Sequence, residues 1–297
     1  MKKILLITLL FLSAKTLAQD SVSTESDTIK IWKTNGIIGL LFTQVGLTNW
    51  AGGGESALSA VGTFRLNAIY NKNKITWENY FLTSYGLQKL GDDQARKNED
   101  KIEIISKLGR KISDKWLVTG NLNFRTQWYE GFKSKEDSVK FSDFFAPAYL
   151  TLGIGFDYKP NDNFALFLSP ATTKFTFVLD DFLSSQGVFG LDPGKKSRTE
   201  FGGFIKLLYI KENILKNVNF TTNLDLFSNY FENPEKIDVN WEVIIDMKIN
   251  DFLTASINTY LIYDYDVKFI EIQDGREVER DKVQFKEALS VGLTYNF

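Results

Sequence analysis

The chain has 297 residues, 43% of them hydrophobic, 14% aromatic and 24% charged, with a net charge of −2 and neither Cys nor His. So balanced a charge offers no basic field for nucleic acid. Without Cys there are no disulfides, thiolate metal sites or lipoprotein anchors, which suits a chain that crosses an oxidising compartment. Without His, the commonest general base at neutral pH and the commonest metal ligand is missing. These absences assign no catalytic residue, no metal ligand and no cofactor, and lead to the expectation that the chain is not an enzyme.

Residues 1–18 read as a signal peptide: Lys2 and Lys3 precede an apolar run from Ile4 to Leu12, and Thr16-Leu17-Ala18 supplies small residues for cleavage. That run is shorter than the roughly 20 residues needed to span a bilayer as a helix, so any insertion must be by strands. Residues 19–32, Ser/Thr-rich and acidic, read as a periplasmic linker, leaving 33–297 as one domain.

From Ile37 onward the dominant period is two, and strands are expected at 37–48, 58–70, 75–87, 101–112, 116–128, 149–158, 164–179, 198–210, 218–231, 237–249, 252–266 and a C-terminal strand ending at Phe297. The clearest is 237–249, where Ile237, Val239, Trp241, Val243, Ile245, Met247 and Ile249 share one face and Asp238, Asn240, Glu242, Ile244, Asp246 and Lys248 lie on the other. Short turns at 71–74, 113–115, 159–163, 211–217 and 250–251 alternate with connections at 91–100, 131–143, 180–197 and 267–282 that are mostly longer; 51–55 and 232–236 are the short exceptions. Tyr70, Trp77, Trp116, Tyr158, Tyr209 and Tyr295 cluster near the short turns, and Trp50, Tyr85, Trp128 and Tyr230 toward the other end, as at two membrane interfaces. The fold class expected is all-β: a transmembrane antiparallel up-and-down β-barrel of about twelve strands, with both termini and the short turns on the periplasmic side. A soluble sandwich also alternates, but its strands usually run only about 5–6 residues.

The last strand places Leu289, Val291, Leu293, Tyr295 and Phe297 on one face. It resembles the C-terminal strand of bacterial outer-membrane barrels, in which a terminal Phe with an aromatic two residues earlier is read by the barrel assembly machinery. The resemblance implies that Tyr295 and Phe297 form an assembly signal. Asn49-Trp50-Ala51-Gly52-Gly53-Gly54-Glu55 resembles the NWxxGG element of an uncharacterised family of predicted Bacteroidetes outer-membrane proteins, as do the loop 96–100, Arg125-Thr126-Gln127, Ser169-Pro170 and the loop 187–190. This second likeness implies location in the cell outer membrane and nothing of activity. The glycine cluster beside Trp50 also reads simply as a tight hairpin with an interfacial Trp.

If the apolar faces meet lipid, the lumen is lined by Arg65, Glu78, Glu103, Lys107, Asn121, Asn123, Arg125, Gln127, Glu200, Lys206, Asp225, Glu242 and Tyr260. Three readings of this set are open: a lumen filled by Arg–carboxylate pairs, a solute-conducting pore, and a carboxylate pair acting on a glycan. Acidic residues at Asp92, Asp93, Glu99, Asp100, Asp180 and Asp181 suggest either solvated loop charge or oxygen ligands for a divalent cation. The function expected is an integral barrel of a Gram-negative envelope, narrow or largely filled, with a transport or envelope-structural role. The alternative is an accessory subunit of a larger outer-membrane assembly. The partners expected are outer-membrane lipid, the assembly machinery, and a small solute or another envelope protein; nucleic acid is not among them.

Overall fold

The computed structural model describes residues 31–46, 56–132, 139–273 and 276–297. The signal segment, linker residues 19–30 and the glycine cluster at 49–55 lie outside the described residues. Among the described residues, sixteen strands and one short helix form in chain order: β1 (Trp32–Val45), β2 (Ala57–Lys72), β3 (Ile75–Leu90), β4 (Arg96–Lys111), β5 (Trp116–Thr126), β6 (Gly131–Phe132), β7 (Lys140–Ser142), β8 (Ala148–Asn161), β9 (Phe164–Phe177), α1 (Asp181–Ser185), β10 (Ser197–Leu215), β11 (Val218–Asn229), β12 (Ile237–Lys248), β13 (Leu253–Tyr263), β14 (Lys268–Gln273), β15 (Arg276–Asp281) and β16 (Gln284–Asn296). Twelve of them close into an antiparallel barrel in the order β1-β16-β13-β12-β11-β10-β9-β8-β5-β4-β3-β2. These twelve are the strands expected from the period-two pattern, and only the ends move.

The differences lie in the connections. Residues 96–100 are not a loop: they begin β4, because Asn98 donates to Ser59 Oγ at 2.7 Å and Lys97 donates to Asp100 at 2.9 Å, so a polar segment finds partners inside the sheet. β10 continues to Leu215, which shortens the turn expected at 211–217. The long connections 131–143 and 267–282 are not structureless either, since each carries a two-stranded hairpin, β6–β7 and β14–β15. The tight turns at Asn73 and Asn217 take positive φ (55° and 63°), a conformation Asn tolerates because its short side chain can bond locally.

No helix among the described residues is long and apolar enough to cross a membrane. The twelve barrel strands run from 11 residues in β5 to 19 in β10, against about 9–11 needed to cross a bilayer at barrel tilt. Their outward rows are apolar and exposed: Ile38, Leu40 and Phe42 on β1, Leu152, Ile154 and Phe156 on β8, Leu289, Val291 and Leu293 on β16. Hydroxyls on this outer face are satisfied in place, for the indole of Trp241 donates to Thr222 at 2.8 Å and that of Trp77 to Ser106 at 2.9 Å. Such bonds matter where the surrounding medium offers none.

Closure rests on the seam between β1 and β16. It pairs only Ile37–Phe42 with Val291–Asn296, six residues on each strand, whereas β1 pairs with β2 along fourteen. Gly36 and Phe297 exchange two backbone hydrogen bonds at 2.8 and 3.0 Å at the C-terminal end of the seam. A Cβ on Gly36 would lie 2.3 Å from the Phe297 ring, so any larger residue would have to displace the ring from its place over the glycine.

The strand faces give a direct test. Val243 points outward on β12, and Val243→Arg near the bilayer midplane should cost about 2–4 kcal/mol. Asp246 points inward and accepts from Ser256 at 2.6 Å, so Asp246→Asn should change stability far less. Urea unfolding of the two variants from lipid vesicles measures both values.

Candidate functional site: the barrel lumen

Inward positions on β3–β5 and β8–β11 build a packed, charged half of the lumen. Arg125 on β5 stands at its centre: its Nε donates to Glu103 at 2.8 Å and its Nη2 to Asp225 at 2.5 Å. Glu103 is also held by Lys101 at 2.9 Å and by the Asn123 amide at 3.4 Å, and Asp225 by Lys206 at 2.7 Å. Because Asp225 and Lys206 belong to β11 and β10, while Glu103 and Arg125 belong to β4 and β5, this chain of ion pairs ties two separated parts of the barrel wall across the interior. Beside it Phe167, Phe204 and Phe227 form a buried aromatic cluster, with the Lys107 ammonium 5.1 Å from the Phe167 ring centroid and that of Lys174 5.2 Å from the Phe227 ring. A buried charge is tolerated when it is paired and bonded in this way.

Two further networks lie above and below. Toward the periplasmic end, Lys107 pairs with Asp157 at 2.7 Å, and Lys159 pairs with both Asp157 and Glu78. Toward the outer end, Lys174 pairs with Asp238 at 2.7 Å and with Glu200 and Asp264 at 3.5 and 3.6 Å; Arg198 pairs with Asp266 at 2.8 Å and Glu200 at 3.5 Å.

The other half of the lumen is open. A cavity of about 1400 Å³ is bordered chiefly by β12, β13, β16, β1 and β2, from Asn296 and Lys248 at one end, past Arg65, Glu242 and Tyr260, to Phe141 and Phe189 at the other, and it reaches Lys101, Arg125, Tyr149, Lys174 and Asp225 at the edge of the packed side. Phe189 belongs to the connection between β9 and β10, which folds with α1 over a small core of Ala146, Val178, Leu183 and Leu191. That core caps the packed half from outside.

The residues expected to line the lumen all occupy inward-facing positions or adjoin them, but they do not act alike. Glu103, Arg125, Asp225, Lys206 and Asn123 meet in one network, Glu78 and Lys107 in a second, and Glu200 in a third. Glu242 accepts from Asn258 at 3.3 Å, and Tyr260 lies 5.9 Å beneath the Lys101 ammonium. Both side-chain atoms of the Asn121 amide are buried without a hydrogen-bond partner. Gln127 lies past the end of β5 and donates to the backbone oxygens of Asp143 and Ala146, both at 3.0 Å, so it anchors an outer loop. Tyr295 and Phe297 stack at 6.4 Å on the outer face of the seam.

Sequence reasoning missed Lys174, Asp157, Asp238 and Asp264. Lys174 was hidden by a register shift opposite Pro170 and Ala171: Phe167 and Ser169 face inward before it, Thr172, Lys174 and Thr176 after it, so the period-two count breaks. Five of the six acidic residues considered as cation ligands are ion-paired: Asp93 with Arg96, Glu99 with Lys286, Asp100 with Lys97, Asp180 with Lys140 and Asp181 with Lys196. Among the described residues, no cluster has the ligands to hold a metal ion.

A closed antiparallel barrel with an apolar exterior and paired charges inside has one solvent arrangement that suits it. The protein is an outer-membrane β-barrel. Residues 42–132 match the model of a family described as protein of unknown function (DUF3078). No match was found among curated proteins. Similar solved structures include an outer membrane channel from Pseudomonas putida F1 (14% identity, 94% of this chain and 98% of that one covered, TM-score 0.41). Others are the NanC porin (10% identity, 88% and 97% covered, TM-score 0.36) and outer membrane phospholipase A from Escherichia coli (11% identity, 91% and 94% covered, TM-score 0.36). The last corrects the expectation that the chain is not an enzyme, since an enzyme is among the similar solved structures.

The outer cap carries a pH-dependent contact. Asp180 caps α1 by accepting from the Leu183 N–H at 2.9 Å, and Lys140 donates to Asp180 at 2.8 Å and to Asp143 at 2.6 Å. The bond from Lys140 holds the Asp180 carboxyl below its usual value, and the bonds to Asp143 and Asp180 hold the Lys140 ammonium above its own. A depressed carboxyl stabilises the cap above its unfolded pKa, about 3.9, and that contribution is lost as pH falls through the lower folded value. The raised ammonium contributes below its unfolded pKa and is lost only as pH rises through its folded value. Proteolysis of the 178–196 connection should therefore be slow at neutral pH and faster in acid, and Asp180→Ala should be cleaved readily already at neutral pH, since a lost cap costs about 0.5–2 kcal/mol.

Proposed function

We propose that this protein is a narrow transport barrel in which a small solute moves along the open half of the lumen, past the ion-paired half. The observation that carries this reading is the bridge Glu103–Arg125–Asp225–Lys206: it crosses the interior and borders an elongated cavity that extends to the β1–β16 side. A general porin keeps a wide, water-filled channel, and a purely structural barrel of this size can fill its lumen completely; this one does neither. The likeness of 49–55 to the NWxxGG element supports placing it in a Bacteroidetes-type envelope, and Tyr295 and Phe297 support recognition by the barrel assembly machinery.

Recordings from the purified protein in planar lipid bilayers test the reading. The native barrel should pass a small current, and Arg125→Ala should enlarge it by removing the side chain that joins the two walls. A large, steady, voltage-independent current from the native protein would mark a general porin. No current from either form would remove the transport role and favour an envelope-structural one.

A further inference from the structure

The inward face of the open half departs from the polar interior expected of a water-conducting barrel. Ile37 and Leu41 on β1, Val61 on β2, Leu82 on β3 and Ile262 on β13 line the cavity. Arg65 lines it too, placed in register between Ile37 and Leu82. Arg125, Lys101 and Lys174 are held by carboxylates, whereas Arg65 has no ion pair or hydrogen bond among the described residues. A half-buried guanidinium set among aliphatic side chains favours an anion that can fill its planar fork of donors, as a carboxylate does.

The same cavity reaches the lipid side. Pairing across the seam stops at Phe42 and Val291, and the last link is the Thr43 hydroxyl, which donates to the Leu289 backbone oxygen at 3.1 Å. Beyond it, Val45 remains paired with β2, and Gln284–Ala288 with β13, but not with each other. Leu58 and Leu289, which face outward and are 51% and 64% exposed, border the cavity together with inward-facing Leu41 and Thr43. Among the described residues, which do not include 47–55, the lumen therefore communicates with the outer surface of the barrel through the upper seam. Unpaired backbone edges are tolerated at membrane depth only where they line such a cavity.

We propose that the cavity binds an anionic amphiphile, a carboxylate on a single long alkyl chain, with the carboxylate on Arg65 and the chain directed along Ile37, Leu41 and Val61 to the opening between β1 and β16. From Arg65 to Ser59, the β2 position opposite Thr43, is six residues or about 20 Å of strand, which accommodates a long chain. The inference rests on the transport reading and names its solute class.

Equilibrium binding of radiolabelled palmitate to the purified barrel in non-ionic detergent tests the site, with hexadecanol as a probe of equal length and no charge. Palmitate should bind saturably; Arg65→Ala should weaken it at least tenfold, Arg65→Lys much less, and hexadecanol should be indifferent to both. Each variant is first checked for heat-modifiable migration, and Arg65→Gln replaces an alanine variant that does not fold. No saturable binding, or equal palmitate affinity in native and Arg65→Ala barrels, would overturn the site. The lateral route is tested by Val45→Cys with Ala288→Cys, in a chain that has no native Cys. Joining the two thiols with a reducible bifunctional thiol reagent should slow palmitate loading from vesicles several-fold and reduction should restore it; loading unchanged by formation of the bridge would overturn the route. A barrel that binds palmitate but conducts like a general porin would end the narrow-passage reading alone, and a small current without palmitate binding would end the amphiphile site alone.

Discussion

Backbone polar groups have no partners in hydrocarbon, and this fact governs the rest of the structure. A sheet placed there must close on itself, since an open edge in lipid leaves a row of N–H and C=O groups unsatisfied at several kcal/mol each. Closure at twelve strands makes an interior too wide to be filled by one layer of aliphatic side chains and narrow enough for long charged ones to span. Arg125 does so, reaching Glu103 on its own side and Asp225 on the other. Removing one member of such a buried set leaves the others uncompensated, a loss of about 3–5 kcal/mol, so the bridge is stable only as a complete network.

The interior consequently divides by chemistry. On the packed side, aromatic rings and paired charges fill the interior, and the cap over Val178 and Leu183 covers them from outside. On the open side lie the short seam, small polar residues such as Thr63, Ser290 and Thr294, and an aliphatic row. At the seam a Cβ on Gly292 would sit 2.2 Å from the Leu40 backbone oxygen, so the two strands approach more closely than any side chain allows. Tight contact over a short length at the periplasmic end, and separation above it, come from the same pair of strands.

Much of this was legible in the residues. Alternation along Ile237–Ile249 placed β12 and both its faces, because lipid on one side and a charged lumen on the other impose opposite demands on successive residues. The same logic gave the inward positions of Arg65, Glu103, Arg125 and Asp225. It failed where the count of two breaks, at the register shift that turns Lys174 inward, and where polar residues find partners within the sheet, at 96–100. Which carboxylate meets which cation was not legible, since Arg125 and Asp225 are 100 residues apart and meet only because the barrel curves. The division of the lumen was hidden for the same reason: it depends on which strands face each other across the axis.

Thiol labelling tests that division most directly, because the native chain has no Cys. Single cysteines at Thr63, Asn258 and Ser290, on the open side, should react in the folded barrel with a small water-soluble thiol reagent. Single cysteines at Thr119, Ser169 and Thr172, which are 1%, 3% and 0% exposed on the packed side, should react only after unfolding. Equal reactivity all round the barrel would contradict the account by showing an open pore, and protection all round by showing a filled one.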